Sequence, residues 1–422
     1  MAKLLYQRVT GMQDVLGDDQ RYWRFVLERA RHTMDLFGFE RIDTPILEQA
    51  TLFKRGVGRG TDIVEKEMYI FEDRDGDLLA LRPEFTAGVM RAYIQNGLHT
   101  QPPPLKLWTT GPLFRHERNQ KGRYRQHSQL NLEILGETDP AVDAELIGAA
   151  WFLFGDLGLT GLKLHLNSTG CPACKPAYVQ KLTDYFRQYE SILPEDDKRR
   201  LRQNPLRILD TKEEATRPLL DDAPQFIDHL CADCTDHLGK LRTYLEARRI
   251  PYQIDHKLVR GFDYYTKTVF EIKAPGSLGA QDVICGGGRY DGLIEMLGGR
   301  PTPGIGFGSG IERIVLTLKA QNIEPPRAVT PLAFVAYLGE AAKVEAIRLT
   351  AQLRDADIPA QMSFGDRSLK AQLKSANRSR AKFAIIIGEE ELAREVVTIR
   401  NLETKEQQDV PFPEIIRKIT DD

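Results

Sequence analysis

The stretch GPLFRHERNQKGRYRQHSQLNLEILG, residues 111–136, predicts two strands joined by a polar, basic loop. In the second strand, Gln129, Asn131 and Glu133 share one face, and the apolar residues between them share the other. A basic loop between antiparallel strands can hold polyphosphate, because guanidinium groups match pairs of phosphate oxygens. These residues alone leave two interpretations open: a phosphate site beside a polar sheet face, or a solvated basic hairpin.

Helices and strands alternate around this pair. Apolar spacing predicts helices at 20–37, 86–97 and 141–157. Runs of β-branched and aromatic residues predict a strand at 39–48 and a hairpin at 68–83, with Asp-Gly at its turn. The pattern indicates an α+β fold in which helices flank an antiparallel sheet.

The sequence pattern changes near residue 171, where strand-like stretches give way to a charged, helical pattern. Residues 171–250 are charged, helical in pattern and poor in strands, whereas β-rich stretches resume at 258–272 and 281–290. A helical block between two strand-rich segments predicts an insertion into one domain.

Chain length and a linker define the domains. The chain has 422 residues, which is too long for one ordinary core. A Pro-rich linker at 322–331 precedes a last stretch in which strands and helices alternate. We therefore expect a first domain at 1–325, which contains the insertion, and a small α/β domain at 326–422.

Composition narrows the classes of function. The net charge is −2, from 58 basic and 60 acidic residues, which neither requires nor excludes a nucleic-acid partner. No apolar run approaches the roughly 20 residues that span a bilayer, and the first residues lack the apolar stretch of a signal peptide. Five cysteines, an odd number, do not indicate a disulfide framework. We expect a cytoplasmic protein with no membrane partner.

Two glycine-rich stretches suggest backbone that a ligand can approach closely. In PTPGIGFGSGIERIVLTL, residues 301–318, glycines alternate with Ile305 and Phe307, so a flat ligand such as a purine could lie against bare backbone. Arg313 then falls in the first turn of a helix. Close packing is the alternative for this stretch, and a simple turn is the alternative for CGGGRYDGL, residues 285–293.

Two further stretches carry polar groups beside predicted secondary structure. In LVRGFDYYTKTVFEI, residues 258–272, Arg260-Gly261 interrupts the start of a strand and two adjacent tyrosines follow. This pattern suggests a fixed cation and two phenols at the mouth of the strand. LRPEFTAG, residues 81–88, places Glu84 and Thr86 before a helix, where Thr86 could instead be only an N-cap.

Five stretches, which occur along the chain in the family's order, resemble the motifs of class II aminoacyl-tRNA synthetases and, among them, of the histidyl-tRNA synthetase family. GFERIDTPILE resembles motif 1, a dimer-interface element, FRHERNQKGRYRQHSQLNLEILG resembles motif 2, and GIGFGSGIERIVL resembles motif 3. LVRGFDYYTKTVFE and GGGRYDGL resemble the two signatures of histidyl enzymes. The resemblance implies the class II antiparallel sheet with flanking helices and a helical insertion, followed by an α/β anticodon-binding domain.

The resemblance implies a ligase that joins histidine to tRNA(His). Histidine attacks the α-phosphate of ATP, used with Mg²⁺, and the histidyl group then passes to the 3′ end of the tRNA. Arg260 would hold the α-phosphate and the histidine carboxylate, where other class II enzymes use a metal ion. Arg115 would bind the α-phosphate from the motif 2 side, and Arg313 would hold the γ-phosphate.

The resemblance also assigns two substrate pockets. Glu117 would contact the adenine or its ribose, and Arg123 is a further ATP contact. The predicted histidine-binding residues are Glu84, Thr86 and Gln129 at the α-ammonium group, Glu133 at the ring, Tyr264 and Tyr265 beside the substrate, and Tyr290, Gly287 and Gly288 at the wall.

The chain departs from the family pattern in three places. Phe85 stands where glycine is common, His127-Ser128 where Phe-His is common, and Asn119 where proline is frequent. None of these departures removes a charge assigned above, but they leave the wall of the histidine pocket undefined.

Two regions are candidates for contact with tRNA. By resemblance, Arg118, Gln120 and Arg123 of the motif 2 loop meet the acceptor end. Residues 366–382, DRSLKAQLKSANRSRAK, set basic side chains at helical spacing in one stripe: Arg367, Lys370, Lys374 and Arg378. The residues alone favour a solvated face, whereas the family's anticodon-binding domain favours tRNA contact.

The resemblance also implies that the protein is a homodimer.

Four cysteines in the insertion form two C-x-x-C pairs, CPAC at 171–174 and CADC at 231–234. Two such pairs can supply four thiolates to a tetrahedral Zn²⁺. The pairs are 57 positions apart and would have to meet in the fold, so four unrelated cysteines remain the alternative. The candidate ligands are Cys171, Cys174, Cys231 and Cys234.

A second function is compatible with the same fold. The synthetase-like regulatory subunit of ATP phosphoribosyltransferase senses histidine without catalysis, but it typically lacks the R-G-x-D-Y-Y signature and the anticodon-binding domain. Because this chain has both, we expect a catalytic ligase. Binding of tRNA without catalysis would leave Arg115, Arg260 and Arg313 unexplained together.

Overall fold

Residues 105–135 form two long antiparallel strands, Leu105–Phe114 and Gln126–Leu135, which pair along their full length. Leu130, Leu132 and Ile134 are buried in the main apolar core. The alternation predicted from the sequence is therefore confirmed, and the polar residues of the second strand face away from that core.

The computed structural model describes residues 5–58, 61–276, 282–327 and 330–421. Gln281 of the predicted strand 281–290, and two residues of the predicted linker, lie outside the described residues. The chain divides into two units, Met1–Pro325 and Pro326–Asp422, and each unit has its own apolar core.

The described strands of the first unit are β1 (Glu40–Arg41), β2 (Leu47–Gln49), β3 (Ile70–Glu72), β4 (Leu78–Leu81), β5 (Leu105–Phe114), β6 (Gln126–Leu135), β7 (Lys163–Ser168), β8 (Tyr252–Ile254), β9 (Thr266–Lys273), β10 (Val283–Arg289) and β11 (Gly304–Gly310). Its described α-helices are α1 (Asp18–Phe37), α2 (Ala50–Gly56), α3 (Thr86–Gln95), α4 (Pro140–Asp156), α5 (Lys175–Arg187), α6 (Glu195–Gln203), α7 (Ala232–Ala247), α8 (Leu293–Met296) and α9 (Ile311–Ala320).

Eight of these strands form one sheet, in the order β1-β5-β6-β11-β10-β9-β7-β8. Neighbours are antiparallel from β5 to β7, and the parallel pairs, β1 with β5 and β7 with β8, lie at the two edges. Helices α1, α4, α7 and α9 contribute to the apolar core on one face. The predicted α+β class is confirmed. The polar face of β6 lies opposite the apolar core, where it can form part of a binding site.

The predicted strand at 39–48 is wrong in extent. β1 belongs to the large sheet, whereas β2 pairs with β4 in a separate three-stranded sheet. Pro45 lacks the N–H that a ladder needs, and the guanidinium of Arg82 donates to the carbonyl of Thr44 at 2.7 Å. The chain therefore leaves the first sheet between these two short strands.

The insertion contains α5, α6, α7 and short 3₁₀ turns. Helices α5 and α6 and the turns pack around an apolar cluster of their own, which α7 joins through Cys234, whereas Leu238, Leu241 and Leu245 of α7 lie in the main core. A buried polar network ties α7 to the sheet. The Nε2 atom of His237 lies 2.8 Å from Asp143 Oδ2 and 3.0 Å from Thr268 Oγ1, and Asp143 pairs with Arg289. Arg289 of the predicted GGGRYD signature thus has a structural role, because it neutralises a buried carboxylate.

The second unit has strands β12 (Ala333–Tyr337), β13 (Ala360–Met362), β14 (Phe383–Ile387), β15 (Val396–Asn401) and β16 (Gln407–Pro411). Its helices are α10 (Glu340–Asp355), α11 (Leu369–Ser379), α12 (Glu389–Ala393) and α13 (Ile415–Asp421). The sheet order is β13-β12-β14-β15-β16, parallel in its first three strands and antiparallel after them. In the part of the chain that the structure describes, no helix is long and apolar enough to span a bilayer.

Candidate active site

A cavity of about 850 Å³ opens on the polar face of the large sheet. This volume is in the range of pockets that hold cofactors and other small ligands. The cavity wall brings together most of the predicted substrate contacts: Glu84, Thr86, Arg115, Glu117, Arg123, Gln129, Arg260, Tyr264, Tyr265, Tyr290 and Arg313.

Backbone carbonyls orient two of the three predicted arginines. Arg115 directly follows β5, and its Nε donates to the carbonyl of Pro83 at 2.8 Å. Arg313 lies in the first turn of α9, and it donates from Nε to Gly122 and from Nη1 to Val283, each at 3.0 Å. A guanidinium has five N–H donors, so these bonds fix each group and leave donors for a ligand.

Arg260 lies in the loop 258–265, which the sequence predicted as the start of a strand, because β9 begins only at Thr266. Its Nη1 pairs with Glu271 Oε1 of β9 at 2.5 Å. The guanidinium lies over Gly286 of β10, where any Cβ would collide with it. Gly286 is therefore a cavity residue that the prediction missed, although the CGGG run contains it.

The positive charges around the cavity are close enough to affect one another. Burial lowers the pKa of Arg313, and Arg123 and Arg115 lower it further because each brings a like charge nearby. Burial also opposes the charge of Arg260, but the pKa of Arg260 is raised because Glu271 and Tyr265 outweigh that effect. A ligand with several negative charges, such as a triphosphate, would relieve this crowding of cations.

Glu133 lies at the centre of a buried cluster of hydrogen bonds. Thr86 Oγ1 and Asn131 Nδ2 each donate to its Oε1 at 2.7 Å, and the hydroxyl of Tyr290 donates to its Oε2. Burial raises the pKa of Glu133 to about 8 although these bonds oppose it. A ligand that brings an N–H donor or a cation would favour the carboxylate form.

Glu84, rather than Thr86, caps helix α3. Its Oε1 accepts a hydrogen bond from the backbone N–H of Ala87 at 2.9 Å. Thr86 is the first residue of the helix, and its hydroxyl is committed to Glu133. The alternative in which Thr86 is only an N-cap is therefore wrong.

The glycines of β11 make room for polar side chains from β6. Gly306 and Gly308 lack a Cβ where the carboxyl of Glu133 and the amide of Gln129 cross the strand. Both glycines line the cavity, but the space above them is already filled by these two side chains. The expectation of a bare backbone face is therefore wrong at these two positions, and the place of a purine stays a prediction.

Gly287 and Gly288, predicted as part of the histidine pocket, are buried and do not line the cavity. A Cβ on Gly287 would collide with Phe307 of the neighbouring strand. A Cβ on Gly288 would lie 2.8 Å from the ring of Tyr265. These glycines act indirectly, because they let neighbouring strands and the Tyr265 ring pack closely.

Tyr264 and Tyr265 bring two buried phenols to the cavity. Their ring centroids are 4.7 Å apart, and the Tyr264 ring meets the edge of Tyr290 at 5.7 Å. Burial raises the pKa of both, so each remains a protonated phenol that can donate or accept a hydrogen bond.

The loop between β5 and β6 divides into an inner and an outer part. Glu117 Oε2 lies 3.4 Å from Arg123 Nη1, and Glu117 Oε1 lies 3.8 Å from Arg115 Nη1. The outer residues Arg118 and Gln120 are exposed and do not line the cavity. The loop therefore presents ion-paired groups inward and polar groups outward.

His127 is a cavity residue that the prediction treated only as a departure from the family pattern. It lies on the same face of β6 as Gln129. Burial lowers the pKa of His127 to about 3, and the charges of Arg115 and Arg313 add to the effect. The ring is therefore neutral at ordinary pH. The alternation of β6 could have identified it as a cavity residue.

The four cysteines of the insertion come together. All four sulfur atoms lie within 4.8 Å of one another, and Cys174 and Cys234 are buried. Burial opposes ionisation of Cys171, but backbone N–H groups of Cys174 and Ala173 lower its pKa to about 7. The alternative of four unrelated cysteines is wrong in its geometry, because the fold joins both pairs.

Replacement of His127 by phenylalanine should reduce the loss of stability at acid pH. The unfolded imidazole takes up a proton below about pH 6.5, whereas the folded one stays neutral down to about pH 3, so its burial costs up to about 2 kcal/mol at pH 5. Urea unfolding at pH 7.5 and pH 5 should show a smaller drop for His127→Phe than for the wild type. An identical drop would contradict the burial of a neutral ring.

The chain is also similar to known proteins, and these similarities identify its family. A family model described as Histidyl-tRNA synthetase matches residues 11–173 and 190–314, and one described as Anticodon binding domain matches residues 332–422. A histidine–tRNA ligase of Dehalococcoides mccartyi is 48% identical over 98% of this chain and 99% of its own length. One from Desulforamulus reducens is 45% identical over 98% of each chain.

A solved structure matches as well. The apo histidyl-tRNA synthetase of S. aureus superimposes with a TM-score of 0.84 at 33% identity, over 98% of this chain and all of that one. These matches extend over 98% of the chain. The chain belongs to the histidyl-tRNA synthetase family.

Proposed function

We propose that this chain activates histidine with ATP to form histidyl-adenylate and then transfers the histidyl group to the 3′ end of tRNA(His). The observation that carries the proposal is the convergence of Arg115, Arg260 and Arg313 on one cavity beside a polar pocket. The relatives of the chain over its full length, which are named histidine–tRNA ligases, support the same reaction.

In the first step, a carboxylate oxygen of histidine attacks the α-phosphorus of ATP. An oxygen–phosphorus bond forms, the bond from the α-phosphorus to its bridging oxygen breaks, and pyrophosphate leaves with the electron pair. Negative charge increases on the phosphate oxygens during this step, and fixed cations stabilise it. We assign Arg260 and Arg115 to the α-phosphate and Arg313 to the γ-phosphate.

In the second step, a ribose hydroxyl at the 3′ end of the tRNA attacks the carbonyl carbon of the adenylate. An ester bond forms, the bond from the carbonyl carbon to the phosphate oxygen breaks, AMP leaves with the electron pair, and the hydroxyl proton is released. Arg260 also binds the carboxylate of histidine in this assignment, because its side chain lies beside Tyr265 of the amino-acid pocket. Binding both reactants with one guanidinium orients them for the attack.

Selection of histidine rests on the buried polar cluster. We assign Glu133 to the imidazole ring, with Tyr264, Tyr265 and Tyr290 around it, and Glu84, Thr86 and Gln129 to the α-ammonium group. A substrate without a ring N–H would leave the Glu133 carboxyl without its partner, and sites of this kind reject such analogues strongly.

ATP would enter with Mg²⁺, which neutralises charge on the β- and γ-phosphates. Within the described residues, three or more metal-ligating side chains come close enough to hold an ion only at the cysteines. A cavity with isolated carboxylates fits Mg²⁺, which is usually held by one or two carboxylates together with phosphate and water. Glu271, which pairs with Arg260, is the carboxylate nearest to that role, whereas we assign Glu117 to the adenine or its ribose, with Arg123 as a further ATP contact.

We propose that the four cysteines hold a structural Zn²⁺. A tetrahedral site with zinc–sulfur bonds of about 2.3 Å has sulfur–sulfur edges of about 3.8 Å. Three sulfur pairs already lie at that spacing: Cys171–Cys231 at 3.7 Å, Cys171–Cys174 at 3.8 Å and Cys174–Cys234 at 3.9 Å. All four ligands come from the protein, so the site is closed and structural, and metal analysis of the purified protein tests it.

The acceptor end and the anticodon of the tRNA would meet different parts of the chain. Arg118 and Gln120 of the loop after β5 are exposed at the outer side of the motif 2 hairpin, which suits contact with the acceptor end. On α11, Lys370, Lys374 and Arg378 are spaced four residues apart and exposed, and Arg367 precedes the helix. Such a stripe suits contact with phosphates.

A cytoplasmic homodimer is the assembly that we propose. The small sheet beside motif 1 exposes apolar side chains, including Leu47, Phe71 and Leu78, which a partner subunit would cover. The sedimentation mass of the purified protein tests this. The alternative of a histidine-sensing regulatory subunit is not favoured, because the full-length relatives reported above are ligases and the second unit matches an anticodon-binding domain.

Replacement of Arg260 by alanine should lower histidine-dependent ATP–pyrophosphate exchange by about 10²-fold or more, because one fixed donor to the developing charge is lost. The affinity for histidine, measured by equilibrium dialysis, should fall much less than the exchange rate, because the proposed contacts to the imidazole ring and the α-ammonium group remain. The matched control is Arg187→Ala, an exposed arginine of the insertion that should leave exchange unchanged. Full exchange activity in Arg260→Ala would refute the role of this residue.

Replacement of Lys370 and Lys374 together by glutamate should raise the KM for tRNA in the charging reaction about tenfold or more, because two phosphate contacts become repulsive. Lys343→Glu with Arg348→Glu on α10 is the control with the same change of charge. The stripe would have no role in tRNA binding if both double variants changed the KM equally.

A further inference from the structure

The four cysteines lie where two helices of the insertion begin. Cys171 and Cys174 occupy the turn between β7 and α5, and Cys174 immediately precedes α5. Cys231 precedes α7, and Cys234 lies in its first turn. An ion bound to all four sulfurs would therefore fasten the amino-terminal ends of α5 and α7 to each other.

The end of β7 and the start of α5 hold the backbone of a pocket tyrosine. Lys175, the first residue of α5, donates from Nζ to the carbonyl of Tyr265 at 3.2 Å. The hydroxyl of Thr169 donates to the same carbonyl at 3.3 Å. The next turn of backbone is fixed as well, since the N–H of Lys267 donates to the carbonyl of Gly170 at 2.7 Å. This segment runs directly into Cys171.

The start of α7 holds the same strand three residues further on. His237 lies one turn beyond Cys234, and its Nε2 is 3.0 Å from the hydroxyl of Thr268 in β9. The two helices thus contact the first part of β9 and the tyrosine just before it. Tyr265 lines the cavity, and its side chain is hydrogen-bonded to Arg260.

We propose that the cysteine-bound metal is a positioning centre for the histidine pocket, which sets Tyr265 by holding α5 and α7 together. This inference rests on the zinc proposal and on the proposed amino-acid pocket. Lys175 does not line the cavity, so it is a positioning residue that transmits the constraint from the metal centre to the Tyr265 carbonyl.

The two substrates should respond differently to a loss of this constraint. Arg115 and Arg313 are held by carbonyls of Pro83, Gly122 and Val283, which lie outside the insertion. Arg260 contacts Tyr265, but its ion pair with Glu271 of β9 holds it independently of that tyrosine. The affinity for histidine should therefore fall when the constraint is lost, while the affinity for ATP changes much less. A role of the cysteines in general stability alone would change both together.

The test is Lys175→Met, which keeps most of the apolar length of the side chain and removes the donor to Tyr265. Loss of one charge-assisted hydrogen bond should raise the Kd for histidine about tenfold by equilibrium dialysis, with less than about a twofold change in the KM for ATP in pyrophosphate exchange. Zinc content should remain that of the wild type. Lys181→Met, an exposed lysine on the same helix, is the matched control and should change none of these quantities.

Zinc content separates failure of this inference from failure of its premises. Purified wild-type protein should contain about one equivalent of zinc per chain. Less than that, with four titratable thiols, would overturn the metal centre. One equivalent of zinc together with an unchanged histidine Kd in Lys175→Met would overturn the coupling and leave the zinc site and the ligase reaction standing. A parallel loss of histidine and ATP binding would also overturn it, since that outcome indicates general destabilisation.

Discussion

The convergence of guanidinium groups from separate parts of the chain on one cavity is the constraint on which the rest of this structure depends. Arg115, Arg260 and Arg313 line this cavity together, where burial and the like charges of Arg123 and Arg115 lower the pKa of Arg313, whereas Glu271 helps to raise the pKa of Arg260. Backbone carbonyls hold Arg115 and Arg313 in place, and Glu271 holds Arg260. The arrangement is therefore prepared before a ligand arrives, and a triphosphate supplies the charge that it lacks.

The antiparallel pairing of β6 with β11 explains how a charged pocket and an apolar core share one sheet. The apolar side chains on one face of β6 pack in the core, and the other face carries Gln129 and Glu133. Glycines of β11 let these two side chains cross the neighbouring strand. Gln129 reaches the cavity, whereas Glu133 is buried and hydrogen-bonded to Thr86 and Tyr290, which line the cavity. The same pairing buries Glu133 beside Tyr290. Burial raises the pKa of the Glu133 carboxyl to about 8, so a ligand with an N–H donor would favour its ionised form.

Sequence patterns predicted the features that depend on local periodicity. The two faces of β6, the hairpin at 68–83 and the alternation of the second unit follow from side-chain spacing alone. Other features depend on contacts between distant segments and were not predicted. They are the break between β1 and β2, the position of the Glu133 carboxyl over Gly306, and the fact that Gly286, rather than Gly287, lines the cavity. The meeting of the cysteine pairs also needed the fold, because 57 positions separate them.

The most direct test of the convergence of three arginines on one nucleotide is a crystal structure with histidine and an ATP analogue that cannot release pyrophosphate. The account predicts that the triphosphate lies in the cavity, with its α-phosphate within hydrogen-bond distance of Arg115 and Arg260 and its γ-phosphate within that distance of Arg313. A triphosphate bound outside this cavity, or one that leaves any of the three guanidinium groups without a phosphate contact, would contradict the central claim.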